Sequence, residues 1–183
     1  MILGDIELNE RIMRGGLVRN IGADQINPAS VNLRLGDTWL TPIQLGGKSI
    51  RLGDEVKYER VQSDSFVLMP GKFVLATTVE KVLMPTGLSG FVQGRSSIGR
   101  IGLTTQNAGF IDPGFHGHIT LELVNESPNP IELVSGYPVA QVVFISTSPV
   151  QKPYRGKYNE QIEATGSRMC LDKEGKKGGK VKK

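Results

Sequence analysis

The protein has 183 residues and a mass of 19.9 kDa, which fits one domain that is large enough to bury a hydrophobic core. Hydrophobic residues make up 38% of the chain, and no apolar run approaches the roughly 18 residues of a membrane-spanning helix, so we expect no membrane insertion. The net charge is +4, but residues 175–183 hold five lysines and no acid, so the rest of the chain lacks the positive charge of a nucleic-acid-binding domain.

The first predicted element is a short helix. Asp5 is in position to cap it, and the apolar residues Leu8 and Ile12 lie four residues apart. Gly15 and Gly16 then end it. After this helix, segments rich in Val, Ile, Leu and Phe are bounded by turn residues, which predicts an all-β fold, a distorted barrel or jelly-roll-like sandwich. The predicted strands cover residues 65–68, 72–78, 88–93, 118–124, 131–134 and 138–145.

The two ends of the chain carry further expectations. We expect residues 1–170 to form the folded domain and residues 171–183 to form a flexible basic tail, because a segment of lysine and glycine buries little apolar surface. Residues 1–16 alternate charged and apolar side chains, unlike a signal peptide. The single cysteine, Cys170, cannot form an internal disulfide. Both features favour a cytoplasmic protein.

Residues 94–100, Gly-Arg-Ser-Ser-Ile-Gly-Arg, are a candidate anion-binding loop. Small residues expose backbone N–H groups, hydroxyls add donors, and guanidinium groups bind phosphate oxygens in pairs. An ordinary surface turn has the same composition, and the glycine and lysine pattern of a P-loop is absent. The loop taken alone leaves both interpretations open.

Two carboxylates lie downstream of this loop. Asp112 is followed by Pro and Gly, so turn formation by itself accounts for it. In the following strand, alternation places Ile119, Leu121 and Leu123 on one face. Glu122 lies on the opposite face with Thr120 and His118, as in any strand that has one solvated side. Neither carboxylate indicates a function when it is considered alone.

Taken together, these segments resemble the dCTP deaminase branch of the dUTPase-like superfamily. The resemblance rests on residues 95–100, 108–117 and 119–122, in this order and at this spacing. Residues 27–36 resemble an early strand of that family, and residues 157–161 resemble its C-terminal segment. The resemblance covers about residues 1–170. It implies a homotrimer of distorted β-barrel subunits, with active sites between subunits and dCTP or dUTP as the substrate.

The resemblance also implies roles for individual residues. Glu122 would be the acid and base of deamination, while Ser96 and Arg100 would help to place the attacking water. Asp112 would contact the deoxyribose 3′-hydroxyl and, where a second activity exists, the hydrolytic water. The implied substrate-binding residues are Arg95, Ser96, Ser97, Ile98, Gly99, Arg100, Asp112, Thr120, Leu121, Glu122, Gln141, Tyr154, Lys157 and Gln161.

Within that set, Thr120, Leu121 and Gln141 would line the nucleoside pocket. Tyr154, Lys157 and Gln161 would close over the triphosphate. They lie in a polar segment, residues 152–167, whose Gly and Tyr residues suit a lid that excludes water.

The residues available also limit the chemistry of deamination. Zinc deaminases hold their metal with Cys and His, but this chain has one cysteine, and its two histidines are His116 and His118. We therefore expect no zinc, and a proton shuttle in which Glu122 takes a proton from water and passes it on. The metal that the resemblance implies is Mg²⁺, bound through the substrate triphosphate rather than by protein side chains.

The resemblance bears on the number of products as well. Family members that only deaminate have a pair resembling His-Arg before the Ile-Asp dipeptide and release dUTP. Gly109 and Phe110 occupy that place here and resemble the members that continue to dUMP and diphosphate, so we expect both activities. Asn32 departs from the pattern, because the superfamily commonly has Asp there and an amide carries no charge to hold hydrated Mg²⁺.

Three alternatives stay open. The first is a deaminase that stops at dUTP, and the second is a dUTPase without deaminase activity. The third is a non-catalytic nucleotide- or nucleic-acid-binding module built on residues 95–100 and the lysine tail, which the near-neutral body and the lack of interleaved aromatic residues disfavour. We expect no nucleic-acid partner. A candidate inhibitor is dTTP, since a trimer with sites between subunits can support feedback control.

Overall fold

The computed structural model describes residues 1–106 and 109–172. Asn107 and Ala108 of the quoted motif, and the lysine tail from residue 173 onward, lie outside the described residues. The described part contains no helix that is long and apolar enough to cross a membrane. Its elements are α1 (Asp5–Met13), β1 (Val18–Arg19), a 3₁₀ turn (Ala23–Gln25), β2 (Ile26–Asn27), β3 (Ser30–Pro42), β4 (Tyr58–Gln62), β5 (Ser65–Leu68), β6 (Phe73–Leu83), β7 (Leu88–Gly94), α2 (Ser96–Gly99), β8 (Leu103–Gln106), β9 (Phe110–Ile111), β10 (His116–Asn125), β11 (Ile131–Val134), β12 (Pro138–Ser146) and a second 3₁₀ turn (Met169–Leu171).

Ten of these strands form one sheet that curls into a half-barrel. The main path of the sheet runs β8-β10-β6-β3-β12-β7-β9, with β1 beside β6 and with β2 and β4 beside β3. The other two described strands, β5 and β11, form a small sheet of their own. Each of these strand pairs is antiparallel. The predicted all-β, barrel-like fold with a short N-terminal helix is confirmed.

The predicted strands occur with ends that differ by a few residues. Strands β5 and β11 have the predicted bounds, whereas the prediction at 72–78 becomes the longer β6. The sequence pattern does not predict the short strands β1, β2, β4, β8 and β9 or the long strand β3, part of which only the family resemblance indicated. Strand β4 is largely exposed and polar, and β8 has only four residues. These two segments are strands because β4 pairs with β3 and β8 pairs with β10, so tertiary contacts rather than local sequence determine their conformation.

Helix α1 begins at Asp5, one residue earlier than predicted, because another residue is the N-cap. Gly4 has the N-cap conformation and Asp5 is the first helical residue, so the prediction that Asp5 caps the helix is wrong by one position. The Asp5 carboxylate instead accepts a hydrogen bond from the N–H of Ile6 at 2.9 Å, and an acid in the first turn favours the helix dipole. Leu8 is fully buried and Ile12 packs against the core, as their spacing predicts.

The core lies inside the curled sheet and is closed at one side by α1. Its largest fully buried side chain is Trp39, which stacks on Phe66 with ring centroids 5.5 Å apart. The Trp39 indole N–H donates to the carbonyl oxygen of Ser63 at 3.0 Å, so its polar atom is satisfied. Strand β10 contributes Leu121 and Leu123 to this core, so the opposite face of the strand is available to form a site.

Candidate active site

A cavity of about 510 Å³ lies between β10, the turn that follows β9, and the C-terminal segment of the described chain. Its size is typical of small-molecule sites. The wall is mostly apolar and aromatic, and it contains two carboxylates, Glu122 and Asp112. An apolar cavity with a few convergent polar groups is the usual form of an active site.

Strand β10 supplies one wall of the cavity through its alternating faces. Leu121 and Leu123 are fully buried in the core, while Thr120 and Glu122 line the cavity. Pairing with β6 shifts register between residues 118 and 120. At that irregularity Ile119, which alternation alone predicts on the core face, also borders the cavity. The prediction for Ile119 is therefore wrong in part, because simple alternation assumes an unbroken ladder.

Glu122 lies against an apolar wall. It pairs across the sheet with Leu75 on β6, and both Leu75 and Phe73 line the cavity beside it. Among the side chains that the structure describes, none forms a hydrogen bond or ion pair with its carboxylate. Burial raises the pKa of Glu122, because removing water from a carboxylate disfavours its charged form. This carboxyl is thus suited to taking up and giving back a proton.

Asp112 lies in a tight turn at the open edge of the cavity. The N–H of Phe115 donates to the carbonyl oxygen of Asp112 at 3.1 Å, which closes the turn. Gly114 has φ 91° and lies so close to Pro153 that a Cβ there would come within 2.7 Å of the proline side chain. The Asp-Pro-Gly sequence therefore forms a turn and also brings a carboxylate to the cavity.

The C-terminal segment of the described chain supplies another part of the cavity wall. Tyr154 packs near Phe115, with ring centroids 6.1 Å apart, and Tyr158 lies beside it in the wall. Gln161 exchanges hydrogen bonds with β10: the His118 N–H donates to the Gln161 carbonyl at 3.0 Å, and Gln161 Nε2 donates to the His118 carbonyl at 2.6 Å. Gln161 Oε1 is buried and has no partner among the described residues, so it remains available as an acceptor.

Lys157 belongs to the same segment but not to the cavity wall. Its Nζ lies 2.5 Å from Asp172 Oδ1 and 5.3 Å from the centre of the Tyr158 ring. The hydrogen bond to Asp172 raises the pKa of Lys157, since it favours the charged ammonium. This pair links the segment to residue 172, the last described residue.

The loop of residues 95–100 does not reach the cavity of its own chain. Arg95 Nη1 donates to the Pro138 carbonyl at 2.9 Å, which ties the loop to the start of β12. Ile98 is buried and anchors the one-turn helix α2, in which Gly99 is the last residue. The side chains of Ser96, Ser97 and Arg100 are exposed.

Gln141 lies near this loop rather than at the cavity. It pairs with Asn32 on β3 and with Gln93 on β7, so three amides stand side by side across adjacent strands. Gln141 Oε1 accepts a hydrogen bond from Ser30 Oγ at 2.9 Å, and Asn32 Oδ1 accepts one from Asn27 Nδ2 at 3.1 Å. These contacts give the amides a defined orientation.

The described chain therefore separates the predicted site residues into two groups. Asp112, Thr120, Glu122, Tyr154 and Gln161 meet in one cavity, and Leu121 turns its side chain into the core beneath it. The members that lie elsewhere in the same chain are Arg95, Ser96, Ser97, Ile98, Gly99, Arg100, Gln141 and Lys157.

Metal ligands are not clustered in the described part of the chain. No group of three or more His, Cys, Asp or Glu side chains lies close enough together to hold an ion among the residues described. His118 Nδ1 lies 2.9 Å from the Thr78 carbonyl, and His116 Nδ1 lies 3.4 Å from Glu160 Oε1.

Residues 2–147 match a family model described as dCTP deaminase-like. The chain belongs to the dCTP deaminase-like family. Over 180 residues it is 41% identical to a protein of Persephonella marina named "dCTP deaminase, dUMP-forming", with 95% of this chain and 100% of that protein covered. Over 190 residues it is 40% identical to a protein of Halorubrum lacusprofundi named "dCTP deaminase", with 95% and 94% covered.

The fold of this dCTP deaminase-like chain also has a solved counterpart. The 2′-deoxycytidine 5′-triphosphate deaminase from Agrobacterium tumefaciens superimposes with a TM-score of 0.61 at 24% identity. The superposition covers 78% of this chain and 47% of that one, so this chain spans about half the length of that protein. The likeness establishes the common fold.

Sequence reasoning did not identify several residues of the dCTP deaminase-like cavity. Tyr58, Phe73 and Leu75 belong to strands far from the motifs, and their hydrophobic character is that of ordinary sheet residues. Phe115 lies inside the quoted motif, so an aromatic residue beside the Asp-Pro-Gly turn was a signal that could have been used.

Proposed function

We propose that the protein is a dCTP deaminase that forms dUMP, converting dCTP and two waters into dUMP, diphosphate and ammonia. The observation that carries the proposal is Glu122, a carboxylate without a partner among the described residues, on the apolar wall of a cavity that also contains Asp112. The identity of 41% with a dUMP-forming relative supports the same activity.

In the first step, Glu122 acts as base and then as acid. It takes a proton from a water whose oxygen attacks C4 of cytosine, and it delivers that proton to ring N3. It then moves the hydroxyl proton of the adduct to the amino group, so that ammonia leaves and a C4 carbonyl forms. The raised pKa of Glu122 suits both transfers, because a carboxyl that titrates closer to neutral pH exchanges protons more readily.

The remaining predicted residues fit this reaction if a second copy of the chain supplies them. Residues 95–100 expose two hydroxyls and the guanidinium of Arg100, but these lie outside the cavity of their own chain. We infer a homotrimer in which this loop completes the cavity of a neighbouring subunit, where it would hold phosphates and help to place the water. Gln161 Oε1 is buried and has no hydrogen-bond partner among the described residues. A hydrogen-bond donor on the bound nucleotide would satisfy this oxygen.

In the second step, Asp112 would take a proton from a water that attacks the α-phosphorus of dUTP, and diphosphate would leave. The cavity fits a Mg²⁺ ion held through the phosphate oxygens of the substrate, with the exposed Asp112 left free to act as the base. When bound, that ion would neutralise charge on the leaving diphosphate. The single cysteine supports a cytoplasmic location for this enzyme.

One incubation tests the proposal. Purified protein is mixed with dCTP and Mg²⁺, ammonia is assayed, and nucleotides are separated by chromatography. Equal amounts of ammonia and dUMP support the proposal, whereas accumulated dUTP supports the second candidate, a deaminase that stops after the first step. That candidate is favoured by Asn32, which carries no charge, and by the identity with the relative named only as a dCTP deaminase.

Three further assays, with dUTP, with single-stranded DNA and with added dTTP, address the other candidates. Hydrolysis of dUTP without ammonia from dCTP would indicate a dUTPase alone. Binding of single-stranded DNA that weakens steeply with salt, without turnover, would indicate a nucleic-acid-binding module. Inhibition by added dTTP would establish the proposed feedback ligand.

A further inference from the structure

Beyond Gln161, the last part of the described chain is attached to the sheet by an exposed ion pair between Arg60 on β4 and Glu163, 2.8 Å apart, and by two hydrogen bonds from its backbone. The N–H of Thr165 donates to Thr120 Oγ1 on β10 at 3.0 Å. The N–H of Ser167 donates to the hydroxyl of Tyr58, the first residue of β4, at 3.0 Å. The segment thus runs from one side of the cavity to the other, and Tyr58 holds its far end.

Tyr58 is itself fixed by apolar packing. Leu40, Leu75 and Ala164 form a small buried cluster separate from the main core, and the rings of Tyr58 and Phe73 pack against it. Ala164 comes from the C-terminal segment, so this cluster joins the segment to β3 and β6. The Tyr58 ring cannot move without opening the cluster.

Gly166 lies directly against the Tyr58 ring. A Cβ at position 166 would come within 2.5 Å of Tyr58 Cε2 and 2.7 Å of Cδ2, far closer than carbon atoms approach one another. The glycine is needed for this close approach. A larger residue would have to push the ring out of its cluster or lift the segment away.

These contacts belong to the cavity that contains Glu122. Tyr58, Gly166 and Ser167 all line it, and Leu75, which packs with Tyr58, lies directly opposite Glu122 across the sheet. If the segment lifted from Tyr58, water would reach the apolar side of the cavity next to this carboxyl.

We propose that Tyr58 is a positioning residue that holds residues 164–167 in place as the wall of the cavity beside Glu122. The hydroxyl binds the backbone of Ser167, and the ring face accepts Gly166. The kinetic consequence rests on the proposed deaminase function, whereas the attachment itself does not.

The attachment is tested by a double-mutant cycle read by amide hydrogen exchange, without nucleotide. Gly166→Ala is expected to speed exchange of residues 164–168 by about tenfold to a hundredfold, as overpacking does. The matched control is Gly87→Ala, where a Cβ meets no atom within 4 Å. Once Tyr58→Ala has removed the ring, Gly166→Ala is expected to change exchange less than about twofold further.

An equal effect of Gly166→Ala with and without the Tyr58 ring would overturn the proposal. So would unchanged exchange in Tyr58→Ala. Tyr58→Phe keeps the ring and removes only the hydroxyl, so it is expected to speed exchange by about fivefold, the value of one ordinary hydrogen bond. Far-ultraviolet circular dichroism and the fluorescence of Trp39, which is fully buried in the main core, report whether each variant is folded.

Kinetics then test the role beside Glu122. Tyr58→Ala is expected to raise KM for dCTP by about tenfold or more and to move the acid limb of the pH profile of kcat/KM to lower pH, because water regains access to Glu122. Tyr137→Phe, at a tyrosine that is 54% exposed, is the control and is expected to leave both unchanged. A raised KM with an unmoved acid limb would contradict the role beside Glu122.

The two proposals fail in different ways. If the wild-type protein does not deaminate dCTP, the proposed function is wrong while the exchange cycle still decides the attachment. If the wild-type protein deaminates dCTP but the effects of Gly166→Ala and Tyr58→Ala on amide exchange are additive, only the proposed attachment is wrong.

Discussion

Arg34 and Glu80 form an ion pair inside the fold: Arg34 Nε lies 2.6 Å from Glu80 Oε1, and the Glu80 side chain is fully buried. The backbone N–H of Arg34 donates to the other carboxylate oxygen at 2.8 Å, and Gln25 Nε2 donates to Oε1 at 2.7 Å. Gln25 also donates to the carbonyl oxygen of Asn32 at 2.9 Å. The pair therefore joins β3, β6 and the first 3₁₀ turn.

Arg34→Ala is expected to lower the free energy of unfolding by about 3–5 kcal/mol, because it leaves a buried carboxylate without its counter-charge. Arg11→Ala is the control, since Arg11 pairs with Glu7 at the surface of α1, and its loss is expected to cost less than about 1 kcal/mol. Urea unfolding followed by Trp39 fluorescence measures both. Similar costs for the two variants would show that the buried pair has no special weight.

Glu122→Gln is expected to lower kcat for ammonia release by about 10²–10⁴-fold, the usual contribution of general acid–base catalysis, while dCTP still binds. An amide keeps the shape of the carboxyl but cannot carry the proton. Ammonia release and calorimetric binding of dCTP are the measurements. Glu132→Gln, at an exposed position on β11, is the control, and normal turnover by the Glu122 variant would refute the role of this residue.

The same substitution is expected to stabilise the fold at neutral pH. Burial raises the pKa of Glu122, so its protonated form is favoured in the folded state, and the stability linked to this proton is lost as pH rises through the folded pKa. Glu122→Gln should then raise Tm at pH 7 by about 2–4 °C for each kcal/mol of removed penalty. Thermal unfolding at several pH values should show the gain shrinking as pH falls from neutral toward the ordinary value of 4.5 and vanishing below it. A gain that is independent of pH would contradict the assignment.

Asp112→Asn is expected to separate the two proposed steps. The turn should survive, because it is closed by the backbone carbonyl of Asp112 and the N–H of Phe115. Ammonia release should change only a few-fold, whereas dUMP formation should fall by about 10²-fold or more, since an amide is no base. Chromatography would then detect dUTP in place of dUMP. Loss of both products together would place Asp112 in the first step instead.

Mixed trimers test whether residues 95–100 act in a neighbouring subunit. Arg100→Ala and Glu122→Gln should each be inactive alone. When equal amounts exchange subunits, a site that combines Glu122 of one chain with Arg100 of the next forms by chance in about a quarter of cases, so about a quarter of wild-type activity should return. Restoration of no activity would mean that one chain supplies both residues. Size-exclusion chromatography with light scattering checks that exchange has formed trimers.

The sequence was most informative where residues within one short segment determine the local structure. Alternation predicted that Leu121 and Glu122 face opposite ways, and turn chemistry predicted the bend at Asp112. It was less informative where a neighbour intervenes. Ile119 borders the cavity because of a register shift against β6, and Asp5 misses the cap position because Gly4 takes the required backbone conformation.

The chain by itself determined the β-rich architecture, the polar face that holds Glu122 and the motifs of a deaminase family, because periodicity and turn preference act over a few residues. Tertiary structure alone decided that Tyr58 meets Ser167, 109 positions away, and that Glu80 is buried against Arg34. It also decided that residues 95–100 lie outside the cavity of their own chain. Such contacts depend on how distant strands curl and pack together, which no local pattern encodes.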